Sequence, residues 1–336
     1  MALPEERIGM AMLILFRGLR RLHTRLALDH IVFAVDQGSW RYGVYPNYKA
    51  RRKLDRLNAD RHEQEESERF LQALNTLIAY LELQTRCTVL RANDVEGDDF
   101  VARWIAVHPQ DRHLIVSADS DFVQLLAANV EIHDVINQRH ITVRGVTDET
   151  DQPHAFQVSP KDGKIKVGEV DALFQPEPDW WRKALFIKLI RGDVGDSIFA
   201  AYPGVRYESK KLSIRAAWED RSEQGFDWNN LMCQTWDKLI GVGADGERLV
   251  TPVVVRDQYH LNETLIDLTR QPAAVKAVMD ATIATAIQRQ PSGSVGGGFL
   301  QFCKQMDLPS LAKEAEDHVR YLNAPYRGDL ANRLAA

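Results

Sequence analysis

The sequence predicts an α/β protein, built on a doubly wound, mainly parallel sheet and followed by a mainly helical C-terminal region. Two short apolar runs, Ile31–Asp36 (IVFAVD) and His113–Ala118 (HLIVSA), have the length and composition of buried parallel strands. Strand-like and helix-like segments alternate to about residue 130, the pattern of a parallel sheet with crossover helices. From Asp179 the chain reads as mainly helical.

Each element has its own signal. Ile8, Met12, Leu15, Leu19, Leu22 and Leu26 recur in steps of three and four behind Pro4, Glu5 and Glu6, which predicts a first helix. The first strand, Ile31–Asp36, ends in an acid. A basic, aromatic stretch follows from Trp40 to Arg61, then a helix from Glu63 to about Leu83. Cys87–Arg91 reads as a strand, Glu96–His108 as a helix that opens with acids, and His113–Ala118 as a third strand running into a helix near Asp121–Ala128. Glu131–Ile136 and His140–Arg144 are strand-like, and Lys164–Val170 suggests a small hairpin. SGSVGGG at Ser292–Gly298 reads as a flexible linker, with helix again from Phe299 to about Asn323. The expected organisation is a core over residues 1–178, carrying a basic arch at about 40–62, and a helical domain over 179–336.

Bulk properties narrow the class. Apolar residues make up 45%, enough for a sizeable core. Three widely spaced cysteines, Cys87, Cys233 and Cys303, argue against a disulfide scaffold or a thiolate zinc site. No apolar run approaches the ~20 residues that span a bilayer, so the expectation is a soluble cytoplasmic protein without a membrane partner. The net charge of −5 argues mildly against nucleic-acid binding, but its distribution points the other way.

Acids gather in four places: Asp36 at a strand end; Glu96, Asp98 and Asp99 in VEGDDF; Asp119 and Asp121 in SADSDF; Asp193 and Asp196 in GDVGDS. Strand ends are where ligands bind in doubly wound sheets. Mg²⁺ takes hard oxygen ligands, and a two-metal phosphodiesterase needs many carboxylates in one place. Singly, Asp98, Asp99 and Asp121 also suit helix starts, and Asp193 and Asp196 suit turns. Next to Asp36 comes a basic window containing Arg41, Tyr45, Tyr48, Lys49, Arg51, Arg52 and Lys53, a composition that neutralises phosphates and stacks on bases, or simply a solvated helix.

In this order and spacing the motifs resemble the 5′ nuclease family of flap endonucleases and 5′→3′ exonucleases, and within it the ribonuclease H of T-even phages. Asp36 followed by Trp40–Arg41 and Tyr48–Lys49, VEGDDF, SADSDFVQL, GDVGDS with Pro203–Gly204, and YHLNETLIDL (Tyr259–Leu268) carry the resemblance, which spans roughly residues 5–325. It implies a PIN-like core with a helix–three-turn–helix domain. Glu96, Asp98, Asp119 and Asp121 become metal ligands, with Asp36 and Asp99 beside them and Asp193 and Asp196 completing a second site. The resemblance further implies Mg²⁺ (or Mn²⁺), two ions, with Lys49 and Arg41 at the scissile phosphate. Residues 49–61 become an arch admitting a 5′ single strand, and Lys210 and Lys211 reach duplex phosphates. Implied partners are branched or 5′-ended DNA, RNA–DNA hybrid, and single-strand-binding and other replication proteins, met by a monomer in phage-type replication or repair.

Two departures stand out. The family opens with a central strand ending in another metal-binding aspartate, and no L-[IL]-[VI]-D precedes Glu5; either Met1 is an internal start, or the strand is absent or supplied by another chain. After Pro203–Gly204 comes VRYESKK, not a second glycine. The alternative reading is therefore a non-catalytic nucleic-acid-binding protein of this fold with an incomplete metal site. A different Mg²⁺ phosphoryl-transfer enzyme with a DxD site explains neither the arch nor GDVGDS. Gly241, Gly243 and Gly246 form G-x-G-x-x-G, but Trp236–Ile240 reads as helical and not as the strand a dinucleotide site needs. Trp180–Trp181 reads as a packing element.

Overall fold

The computed structural model describes residues 4–210, 212–220, 229–242 and 247–328. In chain order the elements are α1 (Pro4–Leu26), β1 (Val32–Ala34), α2 (Arg41–Val44), α3 (Ala50–Leu57), α4 (Arg61–Gln84), β2 (Thr88–Leu90), α5 (Gly97–Val107) and β3 (His113–Val116). A 3-10 turn, Ser120–Leu125, leads to β4 (Val130–Asp134), β5 (Arg139–Thr142), β6 (Gly145–Asp148), β7 (Pro153–Val158) and β8 (Ile165–Val170). The remainder is α6 (Trp180–Arg191), α7 (Ile214–Glu219), β9 (Thr235–Val242), β10 (Arg248–Val254), α8 (Val255–Ile266), α9 (Ala273–Ile287), α10 (Val295–Gln305), α11 (Pro309–Lys313) and α12 (Ala315–Leu322).

These elements fall into two compact units: residues 1–39, 55–109 and 273–336 form the first, and residues 40–54 and 110–272 the second. The expected boundary at residue 178 is therefore replaced by one in which the C-terminal helices return to the N-terminal ones.

The first unit is held by two cores. Met12 and Phe16 of α1 meet Leu77 and Leu81 of α4, Phe299 and Phe302 of α10, and Tyr321 of α12. Phe16 and Phe299 meet edge to face at 5.4 Å, and Tyr80 stacks on Phe302 at 4.4 Å. The stripe that predicts α1 is the face it buries, although Leu26 is exposed. Asp60 and Glu63 form a capping box that starts α4. A parallel pair, β1 and β2, carries the second core with Phe100 and Trp104 of α5 against Met279 and Ile283 of α9. Each such fully buried side chain contributes about 1.5–3 kcal/mol over leaving it exposed. Ser292–Gly298 is not a linker throughout: Ser294 caps α10, and a Cβ at Gly298 would meet Gln84 Oε1 at 2.8 Å, so glycine permits close packing there.

The second unit contains a six-stranded sheet in the order β3-β4-β5-β6-β7-β8. β3 and β4 are parallel, and β4 to β8 are antiparallel neighbours. The parallel strands of the expected α/β class thus stand as two pairs, one per unit, with β5 to β8 an antiparallel extension of the second. Trp180 is buried against Phe156, which makes it the packing element expected. Trp236–Ile240 lies in β9, paired antiparallel with β10, and is not helical. Gly243 and Gly246 lie outside the described residues. Behind the sheet, Phe186, Ile187 and Ile190 of α6 pack with Ile214, Met232, Val255, Tyr259 and Leu265. Among the described residues no helix is long and apolar enough to cross a membrane.

Candidate functional site

In the first unit, the acids sit where β1 ends and α5 begins. Gly97 N–H donates to Asp36 Oδ1 at 2.6 Å. A Cβ at Gly97 would lie 3.1 Å from both Ala34 O and Asp36 Oδ1, so the small residue lets the helix start approach the strand end. Glu96 is the N-cap of α5, is 6% exposed, and accepts from Ser39 Oγ at 3.0 Å. Asp98 and Asp99 follow in the first turn, where the helix dipole favours negative charge. Asp99 is fully buried, Asp98 half-buried and Asp36 exposed.

In the second unit, Asp119 caps the 3-10 turn: its Oδ1 accepts from Asp121 N–H at 2.9 Å. Asp121 Oδ1 lies 2.5 Å from Lys188 Nζ, and the same ammonium lies 2.9 Å from Asp193 Oδ2. Lys188 projects from α6 and is 9% exposed. Burial pulls its pKa down, but Asp121 and Asp193 outweigh burial and hold the ammonium above its ordinary range. Burial likewise pushes Asp193 up, yet Lys188 and the Asp196 and Gly195 amides hold its carboxyl below the usual range. Asp193 Oδ1 accepts from Asp196 N–H at 3.2 Å, and Asp193 N–H and Ile198 N–H exchange bonds with each other's carbonyls, closing the GDVGDS loop. Gly192 opens that loop at φ 70°, and its Cβ would collide with the Ile198 and Phe199 backbone. Asp196 is pushed up by burial, against the pull of Lys49 and Arg52.

The basic segment docks on this loop. Lys49 N–H donates to Asp196 O at 2.8 Å, Tyr48 Oη to Asp196 Oδ2 at 3.2 Å, Tyr45 Oη to Ser197 O at 3.2 Å and Arg51 N–H to Ser197 Oγ at 3.3 Å. Arg52 Nη2 lies 2.9 Å from Asp196 Oδ1. Lys49 adopts φ 52°, with Nζ 4.9 Å from the Tyr48 ring centre. α3, which carries Arg51, Arg52 and Lys53, buries none of its side chains.

Several expected roles change. Arg41 is 2% exposed; it donates from Nε to Leu265 O at 2.7 Å and lies 4.5 Å from the Trp40 ring centre. That places it in the interior, not at a phosphate. Tyr48 is 4% exposed in the core of the second unit and cannot stack on a base there. Lys210 is exposed, and Lys211 lies outside the described residues. Among the described residues no three His, Cys, Asp or Glu side chains assemble as a metal-holding group. The donors still suit a hard divalent ion by type, and Asp121 and Asp193 share one cation, but that cation is Lys188. Lys188 escaped sequence reading; its only signal is a single charge inside the apolar run ALFIKLI.

Residues 5–151 match the 5′-3′ exonuclease N-terminal resolvase-like domain. The structure is similar to the T5 D15 protein co-crystallised with metal ions, at 16% identity over 87% of this chain and 90% of that one, with a TM-score of 0.50. It also overlaps a bacteriophage T5 flap endonuclease variant in a complex with DNA and metal ions (16% identity, 89% of each chain, TM-score 0.48). T5 5′-exonuclease with bound zinc overlaps it too (14%, 91% of this chain and 89% of that, 0.46). No curated protein sequence matches significantly. Residues 5–151 are thus similar to a 5′-3′ exonuclease N-terminal resolvase-like domain, and the likeness to the T5 D15 protein shows a shared fold.

Proposed function

We propose that the chain is a structure-specific 5′ nuclease that hydrolyses phosphodiesters in branched or 5′-ended DNA and in RNA–DNA hybrid, acting in phage-type replication or repair. The observation that carries this reading is the second unit's acid loop. Asp193 and Asp121 share a cation position, and the basic segment Tyr45–Arg52 is bonded to the same loop through Asp196 and Ser197. A site that holds cations beside carboxylates, with Arg51, Arg52 and Lys53 exposed on the adjoining helix, has the parts for positioning a phosphodiester.

Mg²⁺ or Mn²⁺ is the proposed cofactor. Asp119, Asp121, Asp193 and Asp196 are proposed ligands in the second unit, and Asp36, Glu96, Asp98 and Asp99 in the first. When bound, such ions activate a water and stabilise the leaving oxygen. The chain's own contribution is positional: Lys49 and Arg52 oppose phosphate charge, and the capped turn and loop aim the carboxylates. The test is incubation with labelled 5′-flap DNA and nicked RNA–DNA hybrid, in Mg²⁺ or in EDTA. Short 5′ products only with Mg²⁺, lost in Asp121→Asn without loss of DNA binding, are expected. Full activity in that variant would remove Asp121 from the site.

A second reading rests on Lys188 itself. An ammonium satisfying Asp121 and Asp193 suits a nucleic-acid-binding protein that has kept the fold and dispensed with metal. Metal-independent binding of the same substrates with no cleavage would favour it.

A further inference from the structure

The segment Tyr259–Leu268 has so far been given no role, yet it touches both acidic segments of the second unit. Asn262, on α8, is fully buried. Its Nδ2 donates to Leu189 O and to Phe199 O, each at 2.8 Å, and its Oδ1 accepts from Gln258 Nε2 at 2.9 Å. Leu189 lies in the last turn of α6, and Phe199 follows the Asp193–Ile198 bridge. One side-chain amide therefore ties together the two strands of chain from which the Asp193–Asp196 loop projects.

At the C-terminal end of α8 the same chemistry recurs. Gln124 Nε2 donates to Ile266 O at 3.2 Å, and Leu268 N–H donates to Gln124 Oε1 at 2.8 Å. Gln124 belongs to the 3-10 turn that Asp119 caps and that contains Asp121. A primary amide can donate and accept at once and carries no charge, so it fixes backbone without changing the field at nearby carboxylates. α8 is thus a common template from which both acidic segments hang.

We propose that Asn262 and Gln124 are positioning residues of the nuclease: they set the Asp193–Asp196 loop and the Asp119–Asp121 turn against one helix. This inference rests on the nuclease reading only for its consequence in cleavage; the positioning itself is tested separately.

Asn262→Leu and Gln124→Met keep size and remove the amide. In Asn262→Leu, hydrogen exchange at the amides of residues 193–198 is expected to speed up about tenfold or more while exchange elsewhere in α6 and α8 is unchanged. The Mg²⁺ concentration for half-maximal cleavage is expected to rise about tenfold, with the rate recovered at saturating Mg²⁺. Unchanged exchange in the loop overturns the proposal. So does a uniform rise in exchange across the unit with an unmoved Mg²⁺ midpoint, because that is the mark of packing alone. If Asn262→Leu does not fold, Gln124→Met decides on the amides of residues 119–125, since Gln124 is only half-buried. If the unaltered chain does not cleave at all, the nuclease reading falls, and local exchange still decides whether these amides hold the acidic segments.

Discussion

Replacing Lys188 with methionine isolates the charge at the acid loop. Methionine keeps the unbranched apolar stem and removes the ammonium that lies 2.5 Å from Asp121 and 2.9 Å from Asp193. Removing one partner of a buried ion pair costs about 3–5 kcal/mol, because the other charge is left uncompensated. Here the lysine side chain is 11% exposed, but the carboxylates are 28% and 22% exposed, so water takes part of the charge. The expected loss is ~2–3 kcal/mol. The pH window follows from the two partners. Lys188 is raised, so its contribution is complete below about 10.5 and is lost as pH rises through its folded value. Asp193 is lowered, so its contribution is complete above 3.8 and is lost as pH falls through its folded value. Urea unfolding at neutral pH lies inside both limits. In EDTA, Lys188→Met should be less stable by that amount. With Mg²⁺ at a hundred times its dissociation constant, about 2.7 kcal/mol should return, because the vacated carboxylates then bind the metal. A deficit under ~0.5 kcal/mol in EDTA would refute the ion-pair argument. An equal deficit with and without Mg²⁺ would refute metal uptake by these acids.

Four further outcomes can be checked by unfolding. Gly192→Ala should cost more than about 1 kcal/mol, since glycine's φ of 70° and the nearby Ile198 and Phe199 backbone leave no room for a Cβ; a smaller loss would mean the loop can shift. Phe299→Ala should lose about 3–5 kcal/mol, because the ring is fully buried against Phe16, Tyr80 and His318. Arg103→Met should cost about 1 kcal/mol, given its paired 2.6 Å bonds to a half-exposed Asp280. His318 is depressed by burial and then by Arg20, so the unfolded chain takes up its proton first. Its stability contribution is complete above 6.5 and is lost as pH falls from there through the lowered folded value. His318→Phe should therefore flatten the acid side of the stability profile, and an unchanged slope would exclude this residue as its cause.

Legibility followed the physical signal in each segment. α1 was readable because its core face repeats at helical spacing, α4 because its residues are polar and helix-favouring, and β1 and β3 because they lie in short apolar runs. β6 and β7 were not, since they are short and β7 opens on Pro153, while β8 showed only as a small hairpin around Lys164–Val170. β9 failed for another reason: its half-buried and exposed positions carry a mixed composition that resembles a helix. The glycines of Ser292–Gly298 suggested freedom where Gly298 serves contact. At the candidate site, the partners of the acids were not legible: Lys188 for Asp121 and Asp193, and Arg52 for Asp196. Arg41 and Tyr48 sit in a window whose composition describes a surface, and only tertiary packing buries them. Lys188 was hidden because charge inside an apolar helix reads as an interruption until its two carboxylates are found.

The return of α10 to α12 to the first unit bears on how the protein is made. Phe16 finds Phe299, Phe302 and Tyr321 only once residues 299–321 have left the ribosome. Most of the second unit, residues 110–272, is emitted before those partners. Synthesis therefore passes through a stage in which α1 and α4 display an uncovered aromatic and aliphatic face. A chain interrupted before residue 299 would keep that face and become a substrate for chaperones and proteases. Synthesis through α12 thus acts as a checkpoint, since the buried face of α1 is finished by α10 and α12.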